Sequence, residues 1–356
     1  MKSKKNYIIN VVIIFVIFFS MFAYMLIVDG LNNMMNVVKS VNILWSLLSL
    51  GCIVLYWVSE ALVLNIICKK NYPSQKYFNS FKINMIGQLF NNITPFSSGG
   101  QPIQAYVMKK DGKSMSSSVS ILLFKFIIFQ AIQVIYTFVI LIFKYRYFKT
   151  MIKGFAYMAI IGFLVNLSVI VMLILVAVNK NVAYSILKSI YTIFSKMHII
   201  KNLDEKLEKL KLSVDNFHER FKLMKKEKSV IILTSIITII QLTAFYTIAY
   251  TVYRSFGLNG KVYINILCAQ AFLTMIMSFI PTPGAGGAAE GGFYVIFSNF
   301  FTSNTINMAI MYWRVYTFYL PIIVGTIFFV LNKKEKNYGN EELISQVEKL
   351  KENDYE

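Results

Sequence analysis

The amino-acid sequence predicts an all-α, polytopic membrane protein with two inverted repeats, each containing a re-entrant hairpin of broken helices. Composition gives the class: 56% of the 356 residues are hydrophobic and 15% are charged, against about 25% charged in an ordinary soluble domain. A soluble protein of this length could not bury so much apolar surface. The 30 Phe and 22 Tyr residues exclude a disordered chain, because disordered chains are poor in aromatic residues. Two interrupted apolar segments and the placement of Lys and Arg predict the hairpins and the repeats.

Six long segments have the length and low charge of membrane-spanning helices. A helix needs about 20 predominantly apolar residues to cross the hydrocarbon core. The first segment is too long for the apolar part of a signal peptide, so we expect it to span the membrane. The six segments are Tyr7–Val28, Val41–Cys68, Val119–Phe143, Gly154–Val178, Val230–Tyr253 and Thr305–Leu331.

Two further uncharged segments, Ile83–Met108 and Val262–Ala289, are interrupted by Pro and Gly. Pro removes a helix hydrogen bond and clashes with the preceding turn, and Gly disfavours a helix interior. Broken backbone at membrane depth is tolerated only where protein or water covers it. We therefore predict re-entrant hairpins of two half-helices at about 83–108 and 262–300.

The net charge of +19 would indicate nucleic-acid binding in a soluble protein. In a membrane protein, Lys and Arg instead gather in cytoplasmic loops. With cytoplasmic termini and two re-entrant hairpins, 27 of the 36 Lys and Arg residues lie inside and 7 outside. This distribution predicts a multi-pass protein of the cytoplasmic membrane that does not bind nucleic acid.

The two interrupted segments resemble each other. Thr94-Pro95 and Thr282-Pro283 are 188 residues apart, and each pair precedes a Gly-Gly dipeptide. About 30 residues after its Pro, each half carries one cation in an apolar span, Lys125 or Arg314. In the predicted topology the first hairpin enters from inside and the second from outside. Many transporters have such an inverted repeat, with the binding site at the repeat interface; coincidental Gly and Pro breaks are the alternative.

Four charged residues within predicted spans or hairpins are candidates for a headgroup site: Glu60, Lys125, Glu290 and Arg314. Charges at membrane depth are costly and usually mark a pathway. Lys125 and Arg314 would hold a phosphate, Arg314 bidentately, and Glu290, with Glu60, would meet a cationic group. The alternative is structural ion pairs between spans.

The hairpins add candidate translocation residues, because Gly-rich turns and half-helix N-termini present free N–H groups to anions. Close helix packing through Gly-Gly is the alternative. The candidates are Thr94, Pro95, Ser97, Ser98, Gly99, Gly100, Gln101, Gln104, Thr282, Pro283, Gly284, Gly286 and Gly287.

No catalytic, metal or cofactor site is predicted. The sequence contains no GxSxG, HExxH or GxxxxGK[ST] motif, and no His lies in a predicted span. Cys52, Cys68 and Cys268 lie in apolar stretches without metal-ligand spacing.

The segment 180–229 is predicted to be a basic amphipathic loop on the cytoplasmic side, followed by a cytoplasmic tail at 332–356. The segment 180–229 carries 12 positive and 6 negative charges. Its apolar stripe allows a helix on anionic headgroups, a short coiled coil or a helix packed under the bundle. The stripe consists of Leu203, Leu207, Leu210, Val214, Phe217, Phe221 and Met224.

The stretches GQLFNNITPFSSGGQPIQAYVMKKDG and IPTPGAGGAAEGGFYVIF resemble the two signature regions of the lysyl-phosphatidylglycerol synthase transmembrane-region family, also called flippase-like proteins. The resemblance covers roughly residues 7–331. It implies movement of phospholipids between leaflets, including lysyl-phosphatidylglycerol, a lipid that protects against cationic antimicrobial peptides. Many members have Gly-Glu-Pro-x-Arg where this chain has Gly100-Gln101-Pro102-Ile103-Gln104, so both charges become amides.

The full-length synthases of the family also carry a soluble acyltransferase domain that uses lysyl-tRNA. This sequence has 25 residues after Leu331, and we therefore expect a translocator without aminoacyl transfer. A phosphatidylglycerol lysyltransferase, or its membrane part, remains the enzyme alternative, with tRNA as its partner. The other alternative is an ion-coupled solute transporter. The expected partners are phospholipids, with a homo-oligomer and a separately encoded lipid-modifying enzyme left open.

Overall fold

The computed structural model describes residues 41–152, 154–196, 203–278 and 280–332, and within these ranges all regular structure is helical. The predicted first span, Tyr7–Val28, lies outside the described residues, as does the predicted tail beyond Asn332. The described helices are α1 Ile43–Asn71, α2 Tyr77–Ile93, α3 Gly100–Lys110, α4 Met115–Met151, α5 Phe155–Val178, α6 Lys180–Lys196, α7 Leu203–Lys226, α8 Lys228–Ser255, α9 Tyr263–Met277, α10 Ala288–Phe297 and α11 Ile306–Asn332.

Five of these helices, α1, α4, α5, α8 and α11, are long and apolar enough to cross a membrane. They contain 24 to 37 residues, more than the roughly 20 that a span requires. Five of the six predicted spans are therefore confirmed as long apolar helices. Helix α11 includes one π-helical stretch, Val315–Tyr319, directly after Arg314.

Side chains just before the helices fix where two of the spans begin. The Oδ1 atom of Asn42 accepts hydrogen bonds from the N–H groups of Leu44 and Trp45, at 3.0 and 3.4 Å. The hydroxyl of Ser114 accepts the N–H of Ser117 at the start of α4. Such caps satisfy N–H groups that have no partner within the helix.

Helices α1 and α8 form the most extensive helix pair of the described chain and build one side of the core. The hydroxyl of Ser49 donates to Thr251 across this pair at 2.8 Å, which satisfies two polar groups that would otherwise be buried unpaired. The main apolar cluster continues from these helices to Phe272, Phe293 and Trp313, on α9, α10 and α11.

Two pairs of short helices lie between the long ones: α2 packs against α3, and α9 packs against α10. The four helices have 17, 11, 15 and 10 residues, and each is shorter than a membrane-spanning helix. A 3₁₀ turn, Pro95–Ser97, joins the first pair, and the turn Pro283–Ala285 joins the second. The two turns contact each other.

The backbones of the two turns are nearly identical. Phe96 has φ 54° and ψ 19°, and Gly284, which lies 188 residues later, has φ 58° and ψ 21°. The next residues, Ser97 and Ala285, have φ values of 51° and 54°. These left-handed conformations are unfavourable for residues with a Cβ atom. The same local shape is thus built twice from different side chains.

Helix α7 packs against α4 and α6, and the described part of its apolar stripe is largely buried in these contacts. Its buried members are Leu210, Val214, Phe217, Phe221 and Met224. Of the three alternatives given for the apolar stripe of the segment 180–229, the structure therefore shows a helix that packs against other helices. At the surface, Lys180 Nζ lies 2.8 Å from Asp215 Oδ1 and links α6 to α7. The hydrogen bond from Lys180 lowers the pKa of the Asp215 carboxyl group.

Candidate functional site

A cavity of about 660 Å³ lies between the two Thr-Pro turns and the long helices. Helices α1, α2, α3, α4 and α11 contribute most of its wall, together with residues of both turns. Charged and amide side chains share this wall with aromatic and aliphatic groups. Its polar lining consists of Glu60, Gln88, Asn91, Asn92, Ser97, Ser98, Gln101, Gln104, Lys125, Gln130, Gln133, Thr274, Ser278, Arg314 and Thr317.

The first ion pair at the cavity is formed by Glu60 on α1 and Lys125 on α4. Lys125 Nζ lies 2.8 Å from Glu60 Oε1, and both side chains are mostly buried. Lys125 also donates to Asn84 Oδ1 at 2.8 Å, and Gln88 donates to Glu60 Oε2 at 2.7 Å. Since each ion has a second polar partner, the cost of its burial is reduced.

The second ion pair is formed by Arg314 on α11 and Glu290 on α10. Arg314 Nε donates to Glu290 Oε1 at 2.7 Å, and Arg314 Nη1 donates to the carbonyl oxygen of Gly284 at 3.0 Å. The other carboxylate oxygen of Glu290 accepts the N–H of Gly287 at 2.7 Å. Arg314 therefore joins its helix both to the second Thr-Pro turn and to the start of α10.

The guanidinium group of Arg314 is buried but retains hydrogen-bonding capacity. Its side chain is 3% exposed, and its Nη2 atom has no hydrogen-bond partner among the described residues. The rings of Trp313 and Phe318 each lie 5.2 Å from its central carbon atom. A buried donor without a partner is unfavourable, and Nη2 is enclosed by the groups around it.

The two acids are placed differently with respect to the cavity. Glu60 lines it with Lys125 and Arg314, whereas Glu290 is absent from the described lining. Each cation is nevertheless paired with a carboxylate, Lys125 with Glu60 and Arg314 with Glu290, so the four charges balance.

The remaining predicted site residues fall into two groups. The first group lines the cavity and consists of Ser97, Ser98, Gln101, Gln104 and Gly284. The second group is absent from the described lining and consists of Thr94, Pro95, Gly99, Gly100, Thr282, Pro283, Gly286 and Gly287.

Several residues of the second group hold the turns in shape. The hydroxyl of Thr94 donates to the carbonyl oxygen of Phe90 and accepts the N–H of Gly99, at 2.6 and 2.8 Å. The hydroxyl of Thr282 donates to the carbonyl oxygen of Gly286 at 2.9 Å. These contacts are within the turns, and they position the residues that reach the cavity.

Sequence reasoning missed the amides of α2 and α4 that line the cavity: Gln88, Asn91, Asn92, Gln130 and Gln133. The spacing of these amides was a usable signal. Gln88 is three and four residues before Asn91 and Asn92, and Gln130 is three residues before Gln133, which places each set on one helix face. Polar residues in such helices usually face the protein interior.

Five apolar helices of spanning length around a buried, charged cavity define a multi-pass α-helical membrane protein. The chain belongs to the family described as "Lysylphosphatidylglycerol synthase TM region", which matches residues 7–325. This match confirms the resemblance of the two motif regions.

A similar protein from Archaeoglobus fulgidus is described as a "UPF0104 membrane protein". It is 23% identical over 308 residues, which cover 82% of this chain and 88% of the relative. No solved structure matches the chain.

Proposed function

We propose that this protein translocates phospholipids between the leaflets of the cytoplasmic membrane. The observation that carries the proposal is the polar cavity, in which Lys125 and Arg314 from opposite halves of the chain lie within a set of apolar helices. Moving a phosphate through hydrocarbon is opposed by the loss of its hydration. Two cations and many hydrogen-bonding groups would replace part of that hydration along the path.

The architecture proposed for this function is an inverted repeat with two re-entrant hairpins. The helix pairs α2–α3 and α9–α10 are too short to span, and their turns share one backbone shape and contact each other. Transporters of this type bind substrate at the interface between repeats. The headgroup would occupy the cavity while the acyl chains remain in the bilayer.

Arg314 is the proposed main phosphate ligand. Its Nε and Nη1 atoms already donate to Glu290 and Gly284, so it would bind a phosphate oxygen through Nη2, which has no partner among the described residues. Lys125 already binds Glu60 and Asn84, so it would assist by exchanging one of these contacts for the phosphate.

Lysyl-phosphatidylglycerol and phosphatidylglycerol are the first lipids to test, because the chain belongs to this family. Export of the lysyl lipid would lower the negative charge of the outer surface. It would thereby contribute to resistance against cationic antimicrobial peptides.

The decisive experiment reconstitutes purified protein into liposomes with a labelled phospholipid, and follows access of the label to a membrane-impermeant reagent. Arg314→Lys keeps the charge but loses the guanidinium group. We expect the labelled lipid to move between leaflets at least tenfold more slowly in this variant. Lys180→Ala is the matched control, because Lys180 is half exposed and pairs with Asp215 at the surface. Absence of lipid movement with folded wild-type protein would overturn the proposal.

A further inference from the structure

The charges of the two ion pairs at the cavity are balanced before a ligand binds. Lys125 lies 2.8 Å from Glu60, and Arg314 lies 2.7 Å from Glu290. A phosphodiester headgroup such as that of phosphatidylglycerol adds one negative charge to this site. An uncompensated charge in a buried site is unfavourable. The complex is therefore stabilised if a positive charge enters with the phosphate, either a proton or an ammonium group of the ligand itself.

Glu60 is the acid that is placed to receive this positive charge. It lines the cavity, and its side chain retains 12% of its exposure, so it can exchange protons with solvent through the cavity. Glu290 is absent from the described lining. Its two oxygens are held by Arg314 and by the backbone N–H of Gly287. Neither of these donors can accept a hydrogen bond from a protonated carboxyl group.

The second hydrogen-bond partner of Glu60 suits both protonation states of the carboxyl group. Gln88 Nε2 donates to Glu60 Oε2 at 2.7 Å. The same carboxamide, turned over, presents its oxygen and accepts the O–H of a carboxylic acid. Lys125 also keeps a partner when it turns to a phosphate, because it donates to Asn84 Oδ1 at 2.8 Å. The exchange therefore leaves neither Glu60 nor Lys125 without a hydrogen bond.

Titratable groups that face Glu60 come from three helices. Lys125 of α4 is its ion-pair partner, Arg314 of α11 lines the same cavity, and Tyr56 of α1 interacts with it electrostatically. Helix α8, which packs along α1, contributes an amide, Gln241, beside Tyr56. A guanidinium group keeps its charge and a phenol stays neutral near pH 7. A proton taken up near this pH is therefore assigned to Glu60.

From this arrangement, and resting on the translocation function proposed above, we infer that Glu60 couples the movement of anionic headgroups to protons. The phosphate takes the place of Glu60 at Lys125, and the freed carboxylate binds a proton from the side to which the cavity is open. On the other side the lipid leaves, the proton returns to water, and the ion pair forms again. A headgroup with an ammonium group offers its own positive charge to Glu60 and needs no proton.

Proton uptake on binding tests this inference in the wild-type protein. Short-chain phosphatidylglycerol is titrated onto detergent-solubilised protein by calorimetry in two buffers of different ionisation enthalpy, which gives the number of protons bound with the lipid. We expect about one proton per lipid, and an affinity that rises up to about tenfold for each unit by which the pH falls. Short-chain phosphatidylethanolamine, which carries an amine, should bind without a proton. Binding of phosphatidylglycerol without proton uptake would overturn the inference.

Glu60→Gln assigns the proton to its residue. The variant should still bind phosphatidylglycerol, because Lys125 is free for the phosphate, but it should bind no proton and lose the pH dependence. Glu227→Gln is the matched control, since Glu227 pairs with Lys70 at 2.8 Å on the surface, where both side chains are about half exposed. It should retain the wild-type proton uptake. Undiminished uptake in folded Glu60→Gln would overturn the role of Glu60.

Transport in wild-type proteoliposomes decides the question even if Glu60→Gln does not fold. A proton and a phosphatidylglycerol anion that cross together move no net charge. An imposed pH gradient should therefore concentrate labelled phosphatidylglycerol in the leaflet facing the alkaline side, and an imposed membrane potential should not. Protein-free liposomes are the control. A response to the potential and not to the pH gradient would overturn proton coupling and leave lipid translocation intact. Absence of binding and movement of every lipid would overturn both.

Discussion

Arg314 donates to Glu290 at 2.7 Å, and the same guanidinium group holds the carbonyl oxygen of Gly284 at 3.0 Å. A single side chain of α11 thus fixes both the second Thr-Pro turn and the beginning of α10. Its remaining nitrogen, Nη2, has no partner among the described residues. Arg314 therefore has a structural role, and one of its nitrogens remains for the phosphate contact proposed above.

Arg314→Ala should destabilise the protein by about 3–5 kcal/mol, because it leaves the carboxylate of Glu290 buried without its cation. The double variant Arg314→Ala/Glu290→Gln should recover part of this loss, since the uncompensated charge is gone. Thermal unfolding in detergent measures both effects. Equal stability of the single and double variants would contradict the proposed dependence of Glu290 on Arg314.

Lys125→Met should likewise destabilise more than Lys125→Met combined with Glu60→Gln, because the two side chains neutralise each other in the cavity wall. A double-mutant cycle measured by unfolding gives their coupling free energy. The matched control is the cycle for Lys180 and Asp215, whose side chains are about half exposed and should couple more weakly, because solvent screens the pair. Similar coupling in both cycles would contradict burial of the first pair.

Gly325→Ala should destabilise the protein by about 1–3 kcal/mol. A Cβ atom there would lie 2.5 Å from the carbonyl oxygen of Met85, on the backbone of α2, and 2.7 Å from the Cβ atom of Leu89. Gly51→Ala on α1 is the control, because no atom lies within 4 Å of its added Cβ. That change should stabilise by up to about 1 kcal/mol through helix propensity. A harmless Gly325→Ala would show that α2 and α11 are farther apart.

Phe221→Ala on α7 should cost about 3–5 kcal/mol. Phe221 is buried, and its ring packs edge-on against Phe124 of α4 with centroids 5.6 Å apart. Leu223→Ala on the same helix should cost under about 0.5 kcal/mol, because Leu223 is mostly exposed. Unfolding measurements on the two variants distinguish a packed α7 from a helix that lies free on headgroups, for which the costs would be alike.

The long spans could be predicted from the sequence because each is defined by local composition. The segment predicted at Val119–Phe143 is longer in the structure, Met115–Met151. Ser114 caps its beginning, and several Lys and Arg residues near its end are compatible with a helix that continues beyond the apolar region. Local sequence therefore gave the existence of the helix, and its ends required information on caps and flanking charges.

The charged candidates were visible in the sequence, but their partners were not. The pairing of Glu60 with Lys125, and of Glu290 with Arg314, depends on how helices distant in the chain are packed. For the same reason the sequence could not show that Glu290 is absent from the described cavity lining. The amides Gln130 and Gln133 could have been recognised from their spacing on one face of an apolar helix.

The two Thr-Pro turns carry their aromatic rings in different ways. In the first turn the ring belongs to Phe96 itself, which is 59% exposed. In the second turn Gly284 stands at the same position, and the ring of Phe318, from α11, packs directly against it. Phe318 lies beneath the guanidinium group of Arg314, so a shift of α11 would displace the ring and Arg314 together. Phe96 follows its own loop instead. The second turn is thus tied to α11 through the ring of Phe318, whereas the exposed ring of Phe96 belongs to the first turn itself.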